Sequence, residues 1–72
     1  MEYTAEEIQQ KYNAAMDSVN LLDAGKPVGT TDDEWSDRVR CNVEHLKIMV
    51  GKDFWQGQDL TPLQDAIAAH DA

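Results

Sequence analysis

Residues 31–51 read TDDEWSDRVRCNVEHLKIMVG, and this stretch decides the fold. Trp35, Val39, Val43, Leu46 and Val50 recur at spacings of four and three. That rhythm lines them along one face of an α-helix, with Met49 alongside. Thr31 followed by Glu34 has the pattern of a capping box, and Asp32, Asp33 and Glu34 place negative charge on the positive end of the helix dipole. Gly51 closes the run, so the spacing predicts a helix over 32–50. At about 100° per residue a second group falls nearly opposite the stripe. It comprises Cys41 and Ile48, with His45 between them and the stripe. A helix apolar on more than one side is the central element of a bundle. One face meets a neighbouring helix, and the other meets either a third helix or a second copy of the chain. Cys41, His45 and Ile48 are therefore the candidate self-association residues of a homo-oligomer, with a dimer the preferred form.

Toward the N-terminus, Lys26-Pro27-Val28-Gly29-Thr30 is a connection short enough to make its two helices antiparallel neighbours. Before it, Ile8, Tyr12, Ala15, Val19 and Leu22 share one helical face, with Met16 beside them. Thr4 and Glu7 form a capping-box pair, and Tyr3 and Ile8 occupy the positions of a hydrophobic staple. Gly25 and Pro27 are stop signals, which predicts a helix over 5–24. Toward the C-terminus, the connection 52–60 carries adjacent aromatics, Phe54 and Trp55. Thr61-Pro62-Leu63-Gln64 then reads as a third capping box with Pro at the first helical position, predicting a helix over 62–70. Leu63, Ala66 and Ile67 face inward. So short a helix is unstable alone, and Phe54, Trp55 and Leu60 are positioned to dock it. The expected fold is all-α: one domain over 1–72, an antiparallel helical hairpin plus a short C-terminal third helix.

The chain has 72 residues, with six Lys and Arg against fourteen Asp and Glu, for a net charge of −8. Its mass is 8.1 kDa and its pI about 4.3. Such a balance argues against direct binding of nucleic-acid backbones or anionic membranes, which attract cationic surfaces. No apolar run approaches the ~20 residues that span a bilayer. The acidic opening differs from a signal peptide, so the expected location is cytoplasmic. With 42% hydrophobic residues in regular spacing, the chain reads as ordered. Its single Cys excludes an internal disulfide. Apolar burial and conformational entropy nearly cancel at roughly 108 kcal/mol each for a chain this small. A metal or a partner subunit would tip that balance.

Candidate chemistry is sparse. Gly25-Lys26 resembles part of a phosphate-binding loop, but Asn20 stands where that motif needs Gly, and Pro27 where it needs Ser or Thr. Asp37, Cys41 and His45 lie at i, i+4 and i+8, with Glu44 adjacent. A closed metal site would need further ligands, and the other histidine, His70, lies near the end of the chain. Neither a metal nor any other cofactor is therefore expected. Cys41 with His45 is the one nucleophile–base pair, without an orienting third group or oxyanion hole, so no enzymatic activity is expected. Glu34 with Arg38 and Arg40 with Glu44 have the spacing of surface ion pairs. An acidic surface could also mimic DNA, although these carboxylates cluster at helix starts. Among the aromatics, Trp35 is assigned to the interface with the first helix. Phe54 and Trp55 either both cover the base of the bundle, or one is exposed as an interface anchor. Phe54, Trp55 and Leu60 are the candidate partner-binding residues.

Residues 42–50 (NVEHLKIMV), the following Lys52-Asp53-Phe54-Trp55, and the opening 3–12 (YTAEEIQQKY) carry a resemblance over most of the chain. Together they resemble small, acidic, uncharacterised proteins encoded by tailed phages of marine cyanobacteria. The resemblance implies a phage accessory protein acting in an infected bacterial cytoplasm and transfers no activity or site residue. The expected function is a non-enzymatic interaction module that binds a protein partner. The alternatives are a minor structural or assembly component acting by self-association, and an acidic DNA mimic.

Overall fold

Three helices, α1 (Ala5–Ala24), α2 (Asp32–Val50) and α3 (Thr61–His70), pack against one another in the computed structural model, which describes residues 2–71. No strand occurs among the described residues. The caps account for the helix starts. At α1 the capping box is complete: the Thr4 N–H donates to Glu7 Oε1 at 3.0 Å and the Glu7 N–H donates to Thr4 Oγ1 at 3.1 Å. At α2 only one arm forms. The Glu34 N–H donates to Thr31 Oγ1 at 3.2 Å, while the Glu34 carboxylate accepts the Thr31 hydroxyl at 3.1 Å.

The third box does not form. Helix α3 begins at Thr61 itself, one residue earlier than the spacing predicts, and its N-cap Leu60 makes no side-chain cap. Asp59 Oδ1 accepts the Thr61 N–H at 3.0 Å instead. The physical reason is tertiary. The Tyr12 hydroxyl donates to the Asp59 carbonyl at 2.6 Å and so holds the incoming chain against α1. Pro62 is tolerated because first-turn N–H groups lack helical partners in any case.

The core joins Ala15, Val19 and Leu22 of α1, Val43 and Leu46 of α2, and Leu63 and Ala66 of α3. Trp55 is buried at 5% exposure, and its indole N–H donates to the Met49 carbonyl at 2.8 Å. Its ring meets Tyr12 edge-on at 6.1 Å and Phe54 at 4.9 Å. Tyr3 stacks edge-on against Phe54 at 5.1 Å, with Lys11 Nζ 4.5 Å from the Tyr3 ring centre. Both aromatics of the connection thus cover the base of the bundle. The backbone bend that makes this possible lies just beyond them. Gln56 and Gly57 have φ of 51° and 91°, and the Gln58 N–H closes the turn on the Trp55 carbonyl at 3.1 Å.

This turn sends α3 parallel to α1. It starts beside Tyr12 and Gln9, whose Oε1 accepts from Gln58 Nε2 at 3.0 Å, and it ends with His70 Nε2 3.3 Å from Asp23 Oδ1. At 1.5 Å per residue, its 10 residues cover about 15 Å of the roughly 29 Å of α2, which has 19. Trp35 was expected in the α1 interface, yet it is half-buried and stands outside the buried core, past the end of α3. The α2 flank carrying Cys41, His45 and Ile48 is not covered by α3, because α3 docks on the Val43–Leu46 side.

Trp55→Ala is expected to cost about 3–5 kcal/mol of stability. Trp55→Phe keeps a ring and removes the indole donor, while the Lys52 N–H still bonds the Met49 carbonyl at 3.1 Å, so it should cost less, about 0.5–1.5 kcal/mol for the lost hydrogen bond. Urea unfolding followed by far-UV circular dichroism measures both. Acid should also destabilise the fold. The Glu7 carboxyl is held below its ordinary pKa, chiefly by the Thr4 N–H and then by the Thr4 hydroxyl. Thr61 lowers Asp59 in the same way, through its side chain and its N–H. A folded-state pKa below the unfolded one stabilises above the unfolded value, and the contribution is lost as pH falls through the folded value. Glu7→Gln combined with Asp59→Asn should therefore flatten the decline in stability between about pH 5 and pH 2.

Candidate interaction site

Where α3 stops, α2 runs on, and the step between them is an open cleft of about 490 Å³. Its apolar floor is Trp35, Val39 and Val43, four residues apart along one row of α2. Val43 is buried, whereas Trp35 and Val39 keep part of their surface. The rim is polar: Asp32, Ser36, Arg40 and Glu44 from α2, with His70 and Asp71 from the end of α3.

Several rim charges are tied to neighbours outside the cleft. Lys26 pairs with Asp32 at 2.6 Å and Arg40 with Asp37 at 3.0 Å. Lys47 reaches Asp71 at 2.9 Å and Glu44 at 3.8 Å. Hydrogen bonding to Asp71 holds the Lys47 ammonium above its ordinary pKa. These are exposed pairs, each contributing at most about 1 kcal/mol. The predicted pairs differ: Arg40 takes Asp37 rather than Glu44, and the Glu34 carboxylate accepts from Thr31. The i, i+3 reach and the cap compete for the same side chains and prevail.

On the other side of α3 a second hollow, about 470 Å³, is floored by Met16, Val19 and Ala66. Asp23, Asp59 and Asp65 line it, and no Lys or Arg does. Helix α3 therefore sits between two clefts whose charge is mainly negative.

Of the residues singled out from sequence, Cys41, His45 and Ile48 all lie exposed on the outer flank of α2, with Ile48 58% exposed. At about 100° per residue, Glu34, Asp37, Arg38 and Glu44 crowd the same flank, so its apolar content is small. Phe54 and Leu60 are half-buried, and Leu60 packs on the core. Trp55 offers a partner neither its ring nor its N–H, because both are used inside the fold. Among the described residues, no group of three His, Cys, Asp or Glu side chains is arranged to hold a metal ion. No helix there is long and apolar enough to cross a membrane.

The cleft at Trp35 is the feature that sequence reasoning missed. Its signal was present: a third helix half the length of its neighbour cannot cover the whole apolar row of that neighbour. Comparison with protein-family models, curated proteins and solved structures finds no match to this chain.

Proposed function

We propose that the chain is a non-enzymatic protein–protein interaction module that receives a segment of its partner in the cleft beyond α3. The observation behind this reading is the half-buried Trp35 beside Val39, a large aromatic left outside the core at the edge of a concavity. Partly exposed aromatics on apolar floors are the typical anchors of protein interfaces. Phe54 and Leu60 form a second, shallower contact at the opposite end, with Trp55 as its internal support. By its resemblance to small proteins of tailed phages, the module would serve as a phage accessory factor in the infected bacterial cytoplasm.

A second reading is favoured by a specific observation, the 58% exposure of Ile48 next to Cys41 and His45. In it, the outer flank of α2 closes on another copy, and self-association as a minor structural or assembly component is the function.

Light scattering behind size exclusion, over a range of concentrations, separates the two. The interaction module is expected to run as a monomer and to lose partner capture on Trp35→Ala. Self-association predicts a dimer that Ile48→Asp dissociates. Ile48→Asp lies on an exposed site and should change folding stability by no more than about 0.5 kcal/mol.

A further inference from the structure

We infer that the cleft beyond α3 takes a cationic amphipathic helix of a partner protein, laid along the line that α3 would follow if it were longer. This rests on the interaction-module reading and adds the chemistry of the occupant. Shape argues for a helix. Helix α3 leaves about 14 Å of α2 uncovered, the length of about nine helical residues. Trp35, Val39 and Val43 form an i, i+4, i+8 row, the kind of ridge against which helices pack. The same row continues under α3, where Val43 already belongs to the core.

Charge argues for a basic partner. Asp32, Glu44 and Asp71 rim the cleft with Arg40 and His70; Lys26 and Lys47 pair with those acids and Asp37 with Arg40, so the rim and its partners together hold four carboxylates against three Lys and Arg. The C-terminal end of α3 also points its carbonyls, the negative end of the helix dipole, toward the space an incoming helix would enter. A second copy is the wrong occupant on the same ground. Each copy carries −8, α1 contains Lys11 as its sole Lys or Arg, and α3 contains none. The cations of α2, Arg38, Arg40 and Lys47, are outnumbered by Asp32, Asp33, Glu34, Asp37 and Glu44. The chain therefore cannot supply the basic amphipathic segment that its own cleft would select.

The test titrates the ¹⁵N-labelled full chain with a Leu/Lys helical peptide of about 18 residues, leucines at i, i+3, i+4 and i+7, and with its Leu/Glu counterpart. With the Leu/Lys peptide, shifts should concentrate on the Trp35 indole, Val39, Val43 and Asp71. Trp35→Ala should weaken binding about 30-fold. Arg40→Glu should tighten it and Glu44→Lys weaken it, each by about two- to five-fold. Because Trp35→Ala could disturb the start of α2, Ser36→Lys serves as the second variant. It sits on the exposed rim, leaves the floor intact and should also weaken binding, by about two-fold. Three results would overturn the inference, and they differ in what else they remove. Shifts spread over every acidic helix start and insensitive to both variants would end the cleft itself and the reading it rests on. Equal binding of the Leu/Glu peptide in the cleft would leave the interaction module standing but remove its basic partner. Cleft shifts on concentrating the chain alone would make the occupant a second copy.

Discussion

The burial of Trp55 is the constraint on which the remaining architecture depends. Its indole N–H is committed to the Met49 carbonyl at 2.8 Å, at the end of α2, while its ring rests on Tyr12 of α1. Those two contacts pin the connection after α2 onto both arms of the hairpin. Tyr12 then holds the Asp59 carbonyl at 2.6 Å, and α3 can begin only where that anchor lets it. Ten residues of helix are marginal in water, so the stability of α3 comes from this placement and from burying Leu63 and Ala66.

The position of the cleft follows from the same anchor. With its start fixed beside Tyr12 and its length at 10 residues, α3 ends near Asp23 and stops short of Trp35. The exposed part of the α2 stripe is therefore set by where one indole is tied down, some 20 residues away in sequence. The floor of this concavity is formed by residues of a helix that also packs on α1. Such a surface suits recognition: little ordering cost is added when a partner helix arrives.

Much of the fold was legible in the sequence, because helix starts, stops and apolar periodicity are local signals. Thr4 with Glu7, Gly25, Thr31 with Glu34, and Gly51 mark the ends of α1 and α2 at the observed residues. The third start was misplaced because its pattern, Thr61 with Gln64, describes a local competitor that loses to a long-range hydrogen bond from Tyr12. No local rule contains that bond. Trp35 shows the same limit. Periodicity assigns it to the apolar face of α2, but whether that face is covered depends on where α3 ends. For Phe54 and Trp55, the bend at Gln56 and Gly57 settled which alternative holds, and positive φ at a glutamine is not a feature that sequence announces. Cys41, His45 and Ile48 share the exposed outer flank of α2, which α3 does not cover because it docks on the Val43–Leu46 side.

The central claim, that one indole is locked inside the bundle while the other looks into an open cleft, is tested most directly by solvent exchange of the two tryptophan N–H groups. They are resolved by NMR in the native chain and assigned with Trp35→Phe. The Trp55 indole is expected to persist after transfer to deuterated water while the Trp35 indole exchanges at once. Equally rapid loss of both signals would contradict it, since Trp55 would then not be the clamp that sets α3 in place.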